Sequence, residues 1–226
     1  MGVAVDSRQL GRSSVRPVGE GRSERKRRAI LDAATTVFLR NGYLATTVDE
    51  IATRAEVSKP TIYKHFTDKR RLFVEIVVSV VDEVSDAVHG AVSNLADTDN
   101  VELDLRELAR RQLAMVMQPR IMQLRRLVIG EATRFPDLGR TFHERGPGRT
   151  ITAVAAAFET LAGRGLLRVD NPAQAATHFN WLVMGAAVNR AMFLGDDEIP
   201  APADLNGQAD DAVRVFLAAY GDCTDP

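Results

Sequence analysis

The sequence predicts an all-α protein: a three-helix helix-turn-helix head joined by a long helix to a larger helical domain. Three observations carry this expectation. Apolar residues recur at helical spacing in one segment after another. The segments are punctuated by helix-starting residues, with Thr47, Ser58, Asp68 and Asn171 each placed just before an apolar stripe. No stretch alternates apolar and polar residues as a half-buried strand does, and no internal repeat is present.

Residues 1–22 hold glycines, serines and arginines without a period and read as a flexible basic arm. From Ser23, Ile30, Ala33, Ala34, Val37 and Phe38 share one helical face, with Arg25–Arg28 in the first turn and Asn41-Gly42 as the stop. Thr47-Val48-Asp49-Glu50 is a capping-box pattern, in which the Thr oxygen serves the Glu amide and the Glu side chain reaches back. It opens a short helix whose face is Val48, Ile51, Ala52 and Ala55, and Glu56-Val57 makes a turn. Ser58 caps a third helix with Pro60 in its first turn, where a missing amide hydrogen matters least, and Ile62 and Phe66 face inward. Asp68 caps a long helix bearing Leu72, Phe73, Ile76, Val77, Val80, Val84, Val88, Ala91 and Leu95; about 28 residues span roughly 42 Å, enough to join two domains.

After a polar break at Asp97–Asn100, Leu105, Leu108, Ala109, Met115 and Val116 mark one helix. Ile121, Leu124, Val128 and Phe135 mark another, between Pro119 and Pro136. A short segment at Asp137–Glu144 precedes Gly146-Pro147-Gly148. Ile151, Val154, Ala155, Phe158 and Leu161 follow, stopped by Gly163 and Gly165. Asn171-Pro172 starts a helix to Leu194 that is apolar on nearly all sides, as a helix buried by its own fold or by a partner is. Gly195–Asn206 reads as a loop, and Ala212, Val213, Phe216 and Tyr220 place a last helix. The expected division is 1–22 arm, 23–67 head and 68–222 body.

Composition narrows the function. The 226 residues carry 29 Lys+Arg and 30 Asp+Glu, a net charge of −1. That balance hides an asymmetry: residues 1–75 hold 15 basic and 9 acidic side chains, and the remainder 14 and 21. All four lysines, Lys26, Lys59, Lys64 and Lys69, lie in the first part. A basic end on an acidic body suits a polyanion-binding module joined to a second unit. The single cysteine, Cys223, excludes an internal disulfide framework and a cysteine-based zinc cluster, and suits the cytoplasm. No apolar run approaches the ~18 residues that span a bilayer, so no membrane is expected, and no secretory signal is visible. Four scattered histidines, no nucleophile motif and no Gly-rich phosphate loop lead to the expectation of no metal, no cofactor and no catalytic residue.

Residues 46–66 therefore hold two short helices joined by a tight turn within the basic end, which is helix-turn-helix geometry. With Ile62 and Phe66 turned inward, Lys59, Pro60, Thr61, Tyr63, Lys64 and His65 gather on the open side. Such a face is either a solvated polar surface or a groove reader, with Lys for phosphate or guanine, Thr for base edges and a Tyr hydroxyl for phosphate.

The run from Gly42 to Phe73 closely resembles the DNA-binding signature of the TetR family of bacterial regulators. The matching positions are Thr46, Thr47, Val48, Ile51, Ala52, Ala55, Val57, Ser58, Thr61, Ile62, Tyr63, His65, Phe66, Lys69 and Leu72. The segment from Leu124 to Phe142 is similar to one subgroup of the family's ligand domains. The resemblance implies a homodimer that sets the helix at 58–66 into successive major grooves of a near-palindromic operator. The body then becomes a ligand-binding and dimerisation domain. Ser58 opens the presented helix; Lys59, Pro60, Thr61 and Lys64 would reach base edges or groove phosphates; and Thr46, Thr47, Tyr63, His65 and Lys69 would hold phosphates. The family often has Gly where this chain has Glu56, so a positive φ there would strain the glutamate by roughly 1 kcal/mol.

Two functions from different classes follow. One is a repressor released by a small-molecule effector. The other is an architectural or protein-interaction factor with the same head and no effector. For the first, Met115, Met122, Arg126, Phe142, Phe158, Asn180, Trp181 and Met184 are the candidate effector residues, mixing aromatic, thioether and polar groups. Asn180 and His178, in an apolar helix, need partners inside the fold, across a dimer or on a ligand. Trp181 falls either in a cavity or in a dimer interface formed by 172–194 and 207–221.

Overall fold

A computed structural model describes residues 21–221; the expected arm and Cys223 thus lie, but for its last two residues, outside the described residues. Among the described residues ten α-helices run in order: α1 Arg22–Ala45, α2 Val48–Arg54, α3 Lys59–His65, α4 Lys69–Leu95, α5 Val101–Val116, α6 Pro119–Glu131, α7 Pro136–His143, α8 Arg149–Gly163, α9 Pro172–Leu194 and α10 Pro202–Tyr220. A π turn, Glu144–Gly148, links α7 to α8, and a 3-10 turn, Asp196–Glu198, follows α9. No strand is present among the described residues beyond one bridge between Leu167 and Gly221. The fold class is all-α.

The helix starts follow their caps. Thr47, Ser58, Asp68 and Asn171 each accept a hydrogen bond from the amide three residues on, at 3.2, 3.3, 2.7 and 3.0 Å. Three local expectations are corrected. The Glu50 carboxylate does not return to Thr47 but accepts from Arg40 Nη2 at 2.5 Å and Asn41 Nδ2 at 2.8 Å, tying α2 to the end of α1. At Gly42 the backbone leaves helical geometry (φ 76°) yet one further turn follows, so α1 ends at Ala45. The last helix begins at Pro202 rather than 207, because proline fits its first turn and Ala201 is extended.

Two hydrophobic cores divide the molecule, and α4 enters both. At 27 residues it is about 40 Å long. Its first half gives Leu72, Phe73, Ile76, Val77, Val80 and Val81 to the smaller core, with Ile30, Phe38, Tyr43, Ile51, Ile62 and Phe66 from α1–α3. Its second half gives Val88, Val92 and Leu95 to the larger core among α5, α8, α9 and α10. The smaller core is not closed by the first helices alone: Ile121, Leu124 and Val128 of α6 and Leu138 of α7 complete it. Helix α6 therefore touches the head directly.

The larger core centres on a ring cluster. Phe158, Phe179 and Phe216 meet with centroids 5.0–5.8 Å apart, and Tyr220 stacks on Phe216 at 4.8 Å. Arg110 clips α5 to α10 through a two-pronged contact with Asp210, at 2.8 and 2.6 Å.

Candidate nucleic-acid interface and effector region

Helices α2 and α3 form a rigid corner. The turn between them closes with the Val57 amide donating to the Ala52 carbonyl at 3.0 Å and the Glu56 amide to Thr53 at 3.2 Å. Glu56 sits at φ 53°, the one positive φ outside glycine among the described residues. The strain expected for a glutamate at this corner is present. Helix α3 buries Ile62, with Phe66 behind it at its end. That burial turns Ser58, Lys59, Pro60, Tyr63 and Lys64 to solvent, with Thr61 and His65 half-buried at the edges. The Ser58 hydroxyl lies 2.8 Å from the Thr61 hydroxyl, so part of the Thr61 polarity is used locally. Lys59 Nζ lies 3.0 Å from Asp49 of α2, and the hydrogen bond to that carboxylate raises the Lys59 ammonium above the ordinary lysine value. A phosphate reaching Lys59 must compete with Asp49. Thr47 is exposed, and its hydroxyl accepts the Glu50 amide while its own hydrogen stays available.

Two predicted contacts are not where the sequence put them. Thr46 is 2% exposed, and its hydroxyl donates to the Gly42 carbonyl at 2.7 Å, so its side chain belongs to the end of α1. Lys69 also turns inward. Its ammonium donates to the carbonyls of Tyr43 at 2.9 Å and Thr46 at 2.8 Å, and lies 4.6 Å above the Tyr43 ring. A cation on the unsatisfied carbonyls of a helix end is a C-terminal cap. Burial lowers the Lys69 pKa. Arg27, in the basic opening turns of α1, pairs with Glu75 of α4 and lies 5.5 Å over Phe66, holding α1, α3 and α4 together.

In the body the eight candidate effector residues do not converge. Phe158 is fully buried in the ring cluster. Asn180 is buried and accepts from Gln112 Nε2 at 3.0 Å, joining α9 to α5. Met122 and Met184 are buried in the larger core, and half-buried Met115 accepts a weak contact from Gln118 at 3.4 Å. Arg126 donates to the Ala191 carbonyl at 2.8 Å and pairs with Asp196. Burial pushes the Asp196 carboxyl up, but hydrogen bonds from Arg126 and Gln123 outweigh it and hold the pKa below the usual range. Phe142 faces Arg125. Trp181 is 57% exposed, so it does not line the interior. It shares α9 with exposed Leu182, Phe193 and Leu194, and Val215 is exposed on α10. The sequence missed this split because α9 is apolar all round and its period selects no face. It also missed Arg125, hidden beside Arg126.

These features define a helix-turn-helix DNA-binding protein with a separate helical body. Residues 30–76 match the sequence model of the family described as bacterial regulatory proteins, tetR family. Residues 104–222 match that of the AefR-like transcriptional repressor C-terminal domain. A TetR-family transcriptional regulator from Mesorhizobium loti MAFF303099 superposes with a TM-score of 0.84 at 41% identity, covering 90% of this chain and 100% of that one. The Flavonoid-responsive Regulator FrrA superposes with a TM-score of 0.67 at 29% identity, covering 88% of this chain and 99% of that one. The HTH-type transcriptional activator FasR of Mycolicibacterium smegmatis is 37% identical over 92 residues, which are 38% of this chain and only 42% of FasR. The chain belongs to the TetR family of transcriptional regulators and carries that family's DNA-binding domain.

Proposed function

We propose that the protein is a homodimeric, effector-released repressor acting on DNA in the cytoplasm. The observation that carries the reading is the open face of α3. A capped, strained corner spends Ile62 and Phe66 on the core and leaves Ser58, Lys59, Pro60, Tyr63 and Lys64 clear of it. In this reading 23–67 is the DNA-binding head and 68–222 the effector and dimerisation body, with α6 belonging to both through its packing. Lys59, Pro60, Thr61 and Lys64 read the groove. Thr47, Tyr63 and His65 hold phosphates, with Ser58 at the helix start. Thr46 and Lys69 support them from beneath.

Dimerisation rests on the apolar stripe of α9 and α10. Trp181, Leu182, Phe193 and Leu194 leave a surface that a lone chain does not tolerate well, and small residues at Gly185 and Ala186 permit close helix approach. Repression is supported by the match to the AefR-like repressor C-terminal domain; an effector is supported by the similarity to the Flavonoid-responsive Regulator FrrA. An effector can release DNA only by favouring a state whose heads no longer fit the groove spacing. The ring cluster at Phe158, Phe179 and Phe216 favours the architectural reading instead, since aromatic packing occupies the place where the candidate effector residue Phe158 lies. Gel-shift titration against fragmented host DNA and random duplex separates binding classes. A specific fragment bound at least 100-fold tighter than random DNA, with log K falling linearly with log salt, supports the regulator. Equal affinity for both contradicts it.

A further inference from the structure

The other half-buried arginines of the body each have a carboxylate partner: Arg106 has Glu102, Arg110 has Asp210 and Arg126 has Asp196. Arg125 on α6 has none among the described residues. Its Nε is cut off from solvent and donates no hydrogen bond. The nearest compensation is the face of the Phe142 ring, 5.5 Å from the guanidinium carbon. Burial lowers the basicity of the group, and no neighbouring carboxylate opposes that effect. A guanidinium presents five donors in a planar fork; here the Nε donor is shielded and unmatched, which is unfavourable unless something arrives to fill it.

Its position on α6 says what would fill it. Met122, Arg125 and Ile129 fall on one face at i, i+3 and i+7. Met122 is fully buried in the larger core, and Ile129 is 57% exposed. The guanidinium thus stands between an apolar interior and solvent, beside an aromatic ring. One fork matches one carboxylate. The adjoining Arg126 is already engaged, and Arg120, five residues back, lies about 140° round α6, so no second α6 cation stands beside Arg125 to neutralise a phosphate dianion.

We propose that Arg125 is the anchor for an acidic effector: an apolar molecule bearing a single carboxylate, held by two parallel N–H···O bonds, with its body against Phe142. This rests on the effector-responsive reading and names the ligand class it takes. The same helix packs Ile121, Leu124 and Val128 beneath the head, so a ligand that draws Arg125 acts on an element the DNA-binding core leans on.

Matched probes test this on the full-length protein. Hexanoate to tetradecanoate, benzoate and 2-naphthoate are titrated beside their primary amides, with sodium chloride and inorganic phosphate as simple anions, by calorimetry and thermal shift. The expected result is at least one acid bound 10-fold or more tighter than its amide, with Arg125→Met abolishing the difference and Arg125→Lys keeping part of it. Arg125→Gln replaces the Met variant if that one does not fold, and the acid-to-amide ratio in the unmodified protein needs no variant. Acids bound no better than amides, an acid preference that survives Arg125→Met, or equal saturation by chloride or phosphate each overturn the assignment. Operator affinity is measured in the same samples. Acids that bind through Arg125 without changing it uphold the anchor and sink the effector reading. Neutral compounds alone releasing DNA do the reverse.

Discussion

Helices α3 and α9 both leave one face uncovered, and the two faces could hardly differ more. The open side of α3 carries Ser58, Lys59, Tyr63 and Lys64. That of α9 carries Trp181, Leu182, Phe193 and Leu194, with Phe193 84% exposed, beside the polar Asn189 and Arg190. An uncovered charged face is stable in water and gains from a polyanion by releasing its counterions. An uncovered apolar face is unfavourable in water and gains from a second apolar face. The same chain thus presents two surface chemistries, and in the reading proposed above the first meets DNA and the second meets another copy.

The largest expected effect comes from breaking the apolar face. Phe193→Asp should leave monomers at micromolar concentration in sedimentation and lower operator affinity about 100-fold or more, since one head then loses its tethered partner. A dimer that survives with full affinity would remove α9 from the interface.

Next is the underside of the head. Lys69→Met removes a charged donor from the Tyr43 and Thr46 carbonyls and should cost about 2 kcal/mol, a fall in Tm of roughly 4–8 °C. Weakened DNA binding with unchanged Tm would instead restore Lys69 to direct phosphate contact.

Smaller and opposite in sign, Glu56→Gly should stabilise by roughly 0.5–1 kcal/mol, because glycine accepts the positive φ that glutamate carries. The check is a denaturation midpoint that rises without a change of slope. An unchanged or lower midpoint would show that the corner is not strained.

The smallest effect is a pH dependence in the body. The Arg110 hydrogen bond, working against burial, holds the Asp210 carboxyl below its ordinary value. A depressed folded pKa contributes stability that is present above the unfolded value, about 3.9, and is lost as pH falls through the folded value. Asp210→Asn should therefore melt slightly below the unmodified protein at pH 7, with the gap closing below about pH 4. A gap that persists into acid would make the clip one of shape rather than charge.

Much of this was legible in the sequence, and what was missed shares one cause. The caps at Thr47, Ser58, Asp68 and Asn171 are local, and each works through an amide three residues away. The positive φ at Glu56 was legible only through the resemblance, from the glycine the family often has at that corner. By contrast, Lys69 finds carbonyls 23 and 26 residues back, and Glu50 finds Arg40 rather than its own cap. Such partners are fixed by helices crossing in space, which periodicity does not encode. Helix α9 is the limiting case. With apolar residues on every side, its sequence does not distinguish Phe179, buried among rings, from Trp181, open to solvent.

The central claim is that two α3 faces read one duplex together. Hydroxyl-radical footprinting of the best-bound genomic fragment tests it most directly. The account predicts two symmetric protected segments whose centres lie one helical turn apart, about 34–36 Å, or a small multiple of that, and both vanish together in Phe193→Asp. A single protected segment, or two that persist when the dimer is broken, would contradict it.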